Sequence, residues 1–110
     1  MRHPLPFAAA ALLLPAATAA LAGQSATKPV PNGKALFTEK CAMCHGPNGM
    51  GTGLLDRRVK PALLEERTDL TADYVIQAAR TGIGNMPAIP RGEASDAQIK
   101  AIADYLGRGK

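Results

Sequence analysis

The chain has 110 residues, a formal net charge of +4 from 13 Lys and Arg against 9 Asp and Glu, and an aromatic content of 4 % without tryptophan. This length predicts one domain. The basic residues are spread along the chain rather than gathered in a stripe, which argues against nucleic-acid binding. A domain this small, with few aromatic side chains to fill a core, often depends on a disulfide, a metal or a cofactor.

The first 22 residues have the pattern of a secretory signal peptide. A short basic start precedes an apolar run, and Ala20-Leu21-Ala22 has the small-x-small pattern of a cleavage site. The alternative, an uncleaved membrane anchor, needs about 20 unbroken apolar residues, and three prolines interrupt this segment. We therefore expect residues 1–22 to be removed, residues 23–31 to form a flexible leader and residues 32–110 to form a periplasmic domain without a membrane span.

Three helices are predicted in this domain, and each begins at a residue type that caps helix N-termini. The caps are Asn32, Thr71 and Ser95. The second helix is expected to end at Gly82 and the third at Gly107. No segment has the alternating pattern of a strand. The fold class is therefore expected to be all-α.

The segments between the helices are rich in glycine and proline, and we expect residues 46–69 and 82–94 to be mostly irregular. Irregular stretches of this length are unusual inside a compact domain. They become reasonable if they pack around a bound cofactor.

Cys41, Cys44 and His45 form the spacing Cys-x-x-Cys-His, which is the attachment signature of c-type haem. A helical turn places the two thiols on one side for addition to the haem vinyl groups, and the adjacent imidazole can bind the iron. A zinc site needs four ligands, a thioredoxin-like redox pair needs a βαβ setting, and a simple disulfide does not need His45. The pattern therefore predicts one covalent haem c.

Met86 is the expected second axial ligand of the iron. Met43 lies inside the attachment sequence, and Met50 follows His45 too closely to reach the other face of a haem. Met86 comes much later, in an irregular segment that Pro87 stiffens directly after it. The alternative role is a methionine in the core. His/Met ligation raises the reduction potential of a haem.

The sequence resembles the class I cytochrome c family in its small bacterial periplasmic form. The resemblance rests on Gly33-Lys34-Ala35-Leu36-Phe37, on Cys41 to Gly46, on Asn85-Met86-Pro87 and on the segment from Ser95 to Leu106. It implies a fold of three main helices and long loops around one haem. It also implies that the first and last helices cross, with Gly33 and Tyr105 at matching contact positions.

The same resemblance implies further site residues. Pro61 matches the proline whose backbone carbonyl accepts a hydrogen bond from the ligand histidine, here His45. Arg57 and Arg58, together with Lys60 and Arg67, are basic residues that neutralise the haem propionates or meet a partner. The segment from Gly51 to Arg58 is also similar to the cytochrome subunits of periplasmic flavoproteins of the 4-cresol dehydrogenase type, which implies a flavin dehydrogenase as electron donor.

The function expected from these features is single-electron transfer between redox proteins, without enzymatic activity of the chain alone. One alternative is a cytochrome subunit held tightly by a flavoprotein dehydrogenase. Another is a haem peroxidase with a labile sixth ligand. A gas-binding cytochrome of the four-helix type is disfavoured, because those carry the haem motif near the C-terminus whereas Cys41 lies near the start of this domain.

Overall fold

The computed structural model describes residues 29–108. The expected signal peptide and most of the expected leader lie outside this range. Within it, the elements are α1 (Gly33–Lys40), α2 (Ala42–His45), α3 (Met50–Leu55), a 3-10 turn (Leu64–Glu66), α4 (Ala72–Thr81) and α5 (Asp96–Leu106). No helix in this range has the length and hydropathy needed to cross a membrane. The all-α prediction is confirmed.

The predicted helix starts are confirmed by their capping hydrogen bonds. The side chains of Asn32 and Thr71 each accept a backbone N–H from the first turn of α1 and α4. At α5, the Ser95 hydroxyl accepts from the backbone N–H of Gln98 at 3.2 Å, while the Gln98 side chain accepts from the Ser95 N–H at 2.9 Å. These caps satisfy donors that an isolated helix end would leave without partners.

The core forms where α1 crosses α5. Its buried members are Leu36, Phe37, Leu70, Ile102 and Leu106. The rings of Phe37 and Tyr105 pack with centroids 6.2 Å apart. Gly33 permits this approach, because a Cβ atom at that position would lie 2.6 Å from the Tyr105 Cβ and would overlap a carbonyl oxygen of α5. The crossing implied by the resemblance is therefore present.

A second, smaller cluster joins α4 to the start of α5. Its buried residues are Ala79, Ala94 and Ile99, and Ile76 and Ile89 pack against them. Ile89 and Ala94 belong to the segment between α4 and α5, so this cluster anchors that segment to the helices on both sides.

The segment 46–69 is more regular than expected, because it contains α3 and the 3-10 turn. Glycine lowers helix propensity by about 1 kcal/mol relative to alanine, and this composition led to the prediction of an irregular loop. Packing overrides that preference. A Cβ atom on Gly49 or Gly51 would collide with the carbonyl oxygen of Cys44, so these glycines allow the start of α3 to lie directly on the Cys-x-x-Cys-His segment.

Candidate haem-binding site

The Cys-x-x-Cys-His segment consists of Cys41, which joins α1 to α2, and of the short helix α2 itself. Cys41 ends α1 and begins α2, and its carbonyl accepts the backbone N–H of Cys44 at 3.1 Å and of His45 at 2.9 Å. The two cysteines are not joined in a disulfide. All three residues line one cavity of about 620 Å³, a volume within the range of about 300–1,000 Å³ that small-molecule and cofactor sites have.

The wall of this cavity is mainly apolar and comes from the whole domain. Phe37 of α1, Leu54 of α3, Val75 of α4 and Ile102 of α5 all contribute to it. Protein interiors are normally close-packed, so an apolar cavity of this size leaves many side chains of so small a domain without packing contacts. A flat, largely apolar group such as a porphyrin would restore those contacts.

Met86 reaches the same cavity from a short hairpin. Ile83 and Met86 exchange backbone hydrogen bonds of 3.0 and 2.9 Å, and Gly84 at the turn has φ of 56°, which favours glycine. His45 and Met86 both line the cavity. Met50 lines it as well but is 73 % exposed, and Met43 is 88 % exposed.

The His45 ring is half-buried and lacks a partner for one nitrogen. Burial lowers the pKa of His45 below its ordinary value, which favours the neutral imidazole that binds metals. His45 Nδ1 is buried and makes no hydrogen bond. The neutral imidazole, the two thiols and the apolar wall of the cavity together form a set of groups that fits a haem.

The role expected of Pro61, to accept a hydrogen bond from His45 through its backbone carbonyl, stays a prediction, and within residues 29–108 His45 Nδ1 has no hydrogen-bond partner. Pro61 is exposed and is not part of the cavity wall. Gly51 of α3 lies against the Nδ1 edge of the ring, since a Cβ atom on Gly51 would lie 3.3 Å from His45 Nδ1.

Three arginines are the charged residues that line the cavity within the described range: Arg57, Arg58 and Arg67. Arg67 Nε donates to Asp69 Oδ1 at 2.8 Å, and this hydrogen bond raises the pKa of Arg67. Arg57 and Arg58 are exposed. Lys60 does not line the cavity and forms an ion pair with Asp56 instead. This part of the cavity therefore suits an anionic group.

The Cys41 thiol is in an environment that favours its protonated form. Burial is the main cause that raises its pKa, the charge of Lys40 opposes this effect, and Cys44 adds to it. Because the thiolate is the nucleophilic form of cysteine, the fold does not itself activate this thiol.

Two features of the site were missed from the sequence. Gly49 and Gly51 lie in the segment that the sequence predicts to be irregular, whereas in the fold they allow close contact with Cys44 and His45. Their position directly after the Cys-x-x-Cys-His motif was the available signal. Arg80, whose side chain binds the segment that carries Met86, had no recognisable signal, because its partners are backbone carbonyls.

An all-α domain whose Cys-x-x-Cys-His turn opens onto an apolar cavity has the architecture of a class I c-type cytochrome. Similarity to known proteins supports the same class. Residues 28–106 match the family model described as cytochrome c oxidase, cbb3-type, subunit III, and the chain belongs to this family.

Two relatives are similar over most of the domain. Cytochrome c6 of Thermosynechococcus vestitus (strain NIES-2133 / IAM M-273 / BP-1) is 34 % identical over an aligned length of 101 residues, and the alignment covers 89 % of this chain and 81 % of that protein. A chain in the crystal structure of p-cresol methylhydroxylase with substrate bound is 31 % identical with a TM-score of 0.51, covering 70 % of this chain and 90 % of that one. The chain is thus a haem c electron-transfer protein, and these relatives do not favour the peroxidase alternative.

Proposed function

We propose that the chain is a periplasmic single-electron carrier in which Cys41 and Cys44 bind haem c through thioethers, while His45 and Met86 are the two axial ligands. The observation that carries this proposal is that these four residues line one cavity although Met86 is distant in sequence. When bound, the haem supplies an iron that alternates between the ferric and ferrous states. Periplasmic location rests on the signal-peptide pattern of residues 1–22.

The protein's part in this function is to hold and surround the cofactor. His45 and Met86 differ in softness, and such a pair is typical of haems with a raised reduction potential. The apolar wall contributed by residues such as Val75 and Ile102 excludes water from the site. We assign Arg57 and Arg58 to the propionates, because they bring positive charge to a cavity whose wall has no acidic residue within the described range.

A second candidate is the same chemistry in a lasting complex with a flavoprotein dehydrogenase. The likeness to a chain of p-cresol methylhydroxylase supports this candidate. Isolation of the tagged protein from periplasm distinguishes the two. A larger yellow protein that stays bound through size-exclusion chromatography indicates a subunit, and a lone red protein of the chain's own mass indicates a mobile carrier.

Axial ligation by Met86 is tested with Met86→Ala in the matured, haem-loaded protein. The variant is expected to keep its covalent haem, to lose the far-red charge-transfer band of methionine-bound ferric haem, and to bind carbon monoxide and azide. Met50→Ala is the matched control, because Met50 also lines the cavity but is mostly exposed; it should behave as the wild type. An unchanged spectrum without ligand binding in Met86→Ala would remove Met86 from the site.

The covalent attachment is tested separately with Cys44→Ala. Loss of one thiol should sharply reduce the haem that remains with the chain after denaturation, as measured by haem staining of a denaturing gel. Full retention of haem would contradict a thioether at Cys44.

A further inference from the structure

Arg80, in the last turn of α4, makes an unusual set of hydrogen bonds. Its side chain is 15 % exposed. One terminal nitrogen donates to the Ile89 carbonyl at 2.9 Å, and the other donates to the Ala94 carbonyl at 2.9 Å and to Asp96 Oδ1 at 2.8 Å. A guanidinium suits such a role, because its planar fork presents several donors in fixed directions.

Two of these partners belong to the segment that carries Met86. The segment leaves α4 at Gly82 and reaches α5 at Ser95. Ile89, three residues after Met86, is fixed at both of its backbone polar groups. Its N–H donates to the Ala79 carbonyl at 2.7 Å, and its carbonyl accepts from Arg80.

Met86 therefore lies between two anchored points. Before it, the backbone N–H of Gly82 donates to the Ala78 carbonyl and closes α4. After it, Ile89 is bound to the end of the same helix by Ala79 and Arg80. A loop with few anchors opens locally at low cost, so the bonds at Ile89, together with the packing of its side chain on the cluster that contains Ala79 and Ile99, help to hold the Met86 segment against the cavity.

Arg91 provides an internal comparison, because it also binds Asp96, with Nε to Oδ2 at 3.0 Å. Arg91 is 73 % exposed, however, and its hydrogen bond goes to that carboxylate. Exposed ion pairs of this kind contribute little. Loss of Arg80 would instead deprive two part-buried backbone carbonyls of their donor, which is costly.

We propose that Arg80 is a positioning residue for Met86. By binding the Ile89 and Ala94 carbonyls, it holds the downstream half of the segment against α4 and keeps the Met86 thioether in the haem cavity. This inference rests on the proposed ligation by Met86. It predicts that loss of the Arg80 fork releases the thioether intermittently while the haem stays attached at Cys41 and Cys44.

The test compares Arg80→Gln, Arg80→Lys and Arg91→Gln in the haem-loaded protein. Azide affinity for the ferric form and hydrogen exchange of the Ile89 amide are measured in each. Arg80→Gln should bind azide about tenfold more tightly than the wild type does. Its Ile89 amide should exchange hydrogen about tenfold faster than the same amide in the wild type. Arg91→Gln should match the wild type in both. Arg80→Lys, which keeps one donor group, should lie between them.

Two results would overturn the proposal. One is wild-type azide affinity in Arg80→Gln. The other is a loss of protection that extends equally to the amides of α1 and α5, because that pattern indicates general destabilisation rather than release of one segment. If Arg80→Gln does not fold, Arg80→Lys decides the question by the same two measurements.

The proposed ligation by Met86 has its own readout in this experiment. If the wild type binds azide as readily as Met86→Ala, the ligation proposal fails and the role of Arg80 towards the haem fails with it. If the wild type and Met86→Ala differ as expected while Arg80→Gln resembles the wild type, only the role of Arg80 is wrong.

Discussion

Gly33 of α1 lies directly against Tyr105 of α5: a Cβ atom on Gly33 would come within 2.6 Å of the Tyr105 Cβ. This contact sets the distance between the two helices whose crossing forms the main core. It also places α1 so that its C-terminal end leads into Cys41 at the haem cavity. The position of Cys41 at the cavity therefore depends on how closely α1 and α5 pack.

Gly33→Ala should destabilise the haem-loaded protein by about 1–3 kcal/mol, because an added methyl group must push two packed helices apart. Urea unfolding followed by far-UV circular dichroism measures this. Gly92→Ala is the control, since no atom lies within 4 Å of a Cβ placed there. Equal midpoints for Gly33→Ala and Gly92→Ala would show that α1 and α5 can separate at no cost.

Gly51→Ala should disturb the haem environment, whereas Gly53→Ala should not. A Cβ atom on Gly51 would lie 2.8 Å from the Cys44 carbonyl oxygen and 3.3 Å from His45 Nδ1, while Gly53 of the same helix faces open space. We expect Gly51→Ala to lower the yield of haem-loaded protein and to shift its reduction potential. Gly53→Ala should be neutral or gain up to about 1 kcal/mol from better helix propensity. Indistinguishable spectra and potentials for the two variants would refute the close contact at Gly51.

Gly82→Ala should loosen the segment that carries Met86. Gly82 has φ of 75° and ψ of 162°, a region that is essentially restricted to glycine and costs other residues about 1–3 kcal/mol. A Cβ atom there would also lie 2.7 Å from the Met86 carbonyl oxygen. The ferric protein should therefore bind azide more tightly than wild type, with covalent haem retained. Wild-type azide affinity together with wild-type stability would contradict this prediction.

Replacement of Arg57 and Arg58 by glutamine should lower the reduction potential. Positive charge near the iron disfavours the more positive ferric state, so its removal favours oxidation. The control is the double variant Lys34→Gln and Lys100→Gln, which removes the same charge from residues that do not line the cavity. Redox titration at low and high salt should show a larger and less salt-sensitive shift for the arginine variant, because salt screens charges that are distant from the haem more strongly than charges close to it. Equal shifts would place Arg57 and Arg58 away from the propionates.

Asp96 should contribute stability at neutral pH that fades in acid. The hydrogen bond from Arg91 is the largest cause that lowers its pKa; desolvation opposes it, and the bond from Arg80 adds to it. Because the folded pKa is below the ordinary value of about 3.9, the contribution is present above that pH and is lost as the pH falls through the folded pKa. The stability difference between wild type and Asp96→Asn should therefore shrink on acidification, and it should be small because Asp96 is exposed. If the stability difference grew below about pH 4 instead, the ionised Asp96 carboxylate would not be the stabilising form.

Local signals in the sequence were sufficient for much of this architecture. The N-caps Asn32, Thr71 and Ser95 depend on hydrogen bonds to residues in the next turn, so their positions can be inferred from a few neighbouring residues. The Cys-x-x-Cys-His spacing is equally local. Helix α3 could not be inferred in that way, because its glycines are unfavourable in an isolated helix and are tolerated only where Gly51 packs on Cys44 and His45.

By itself, the sequence determined the helical class, the helix caps and the chemistry of Cys41, Cys44 and His45, because each depends on residue type and short spacing. Only the tertiary structure decided which distant residues meet. It brought Met86 into the cavity of His45, left Pro61 outside it and joined Arg80 to the backbone of Ile89. Every residue has a backbone carbonyl, so the pattern of side chains in the sequence does not predict which carbonyls an arginine will bind.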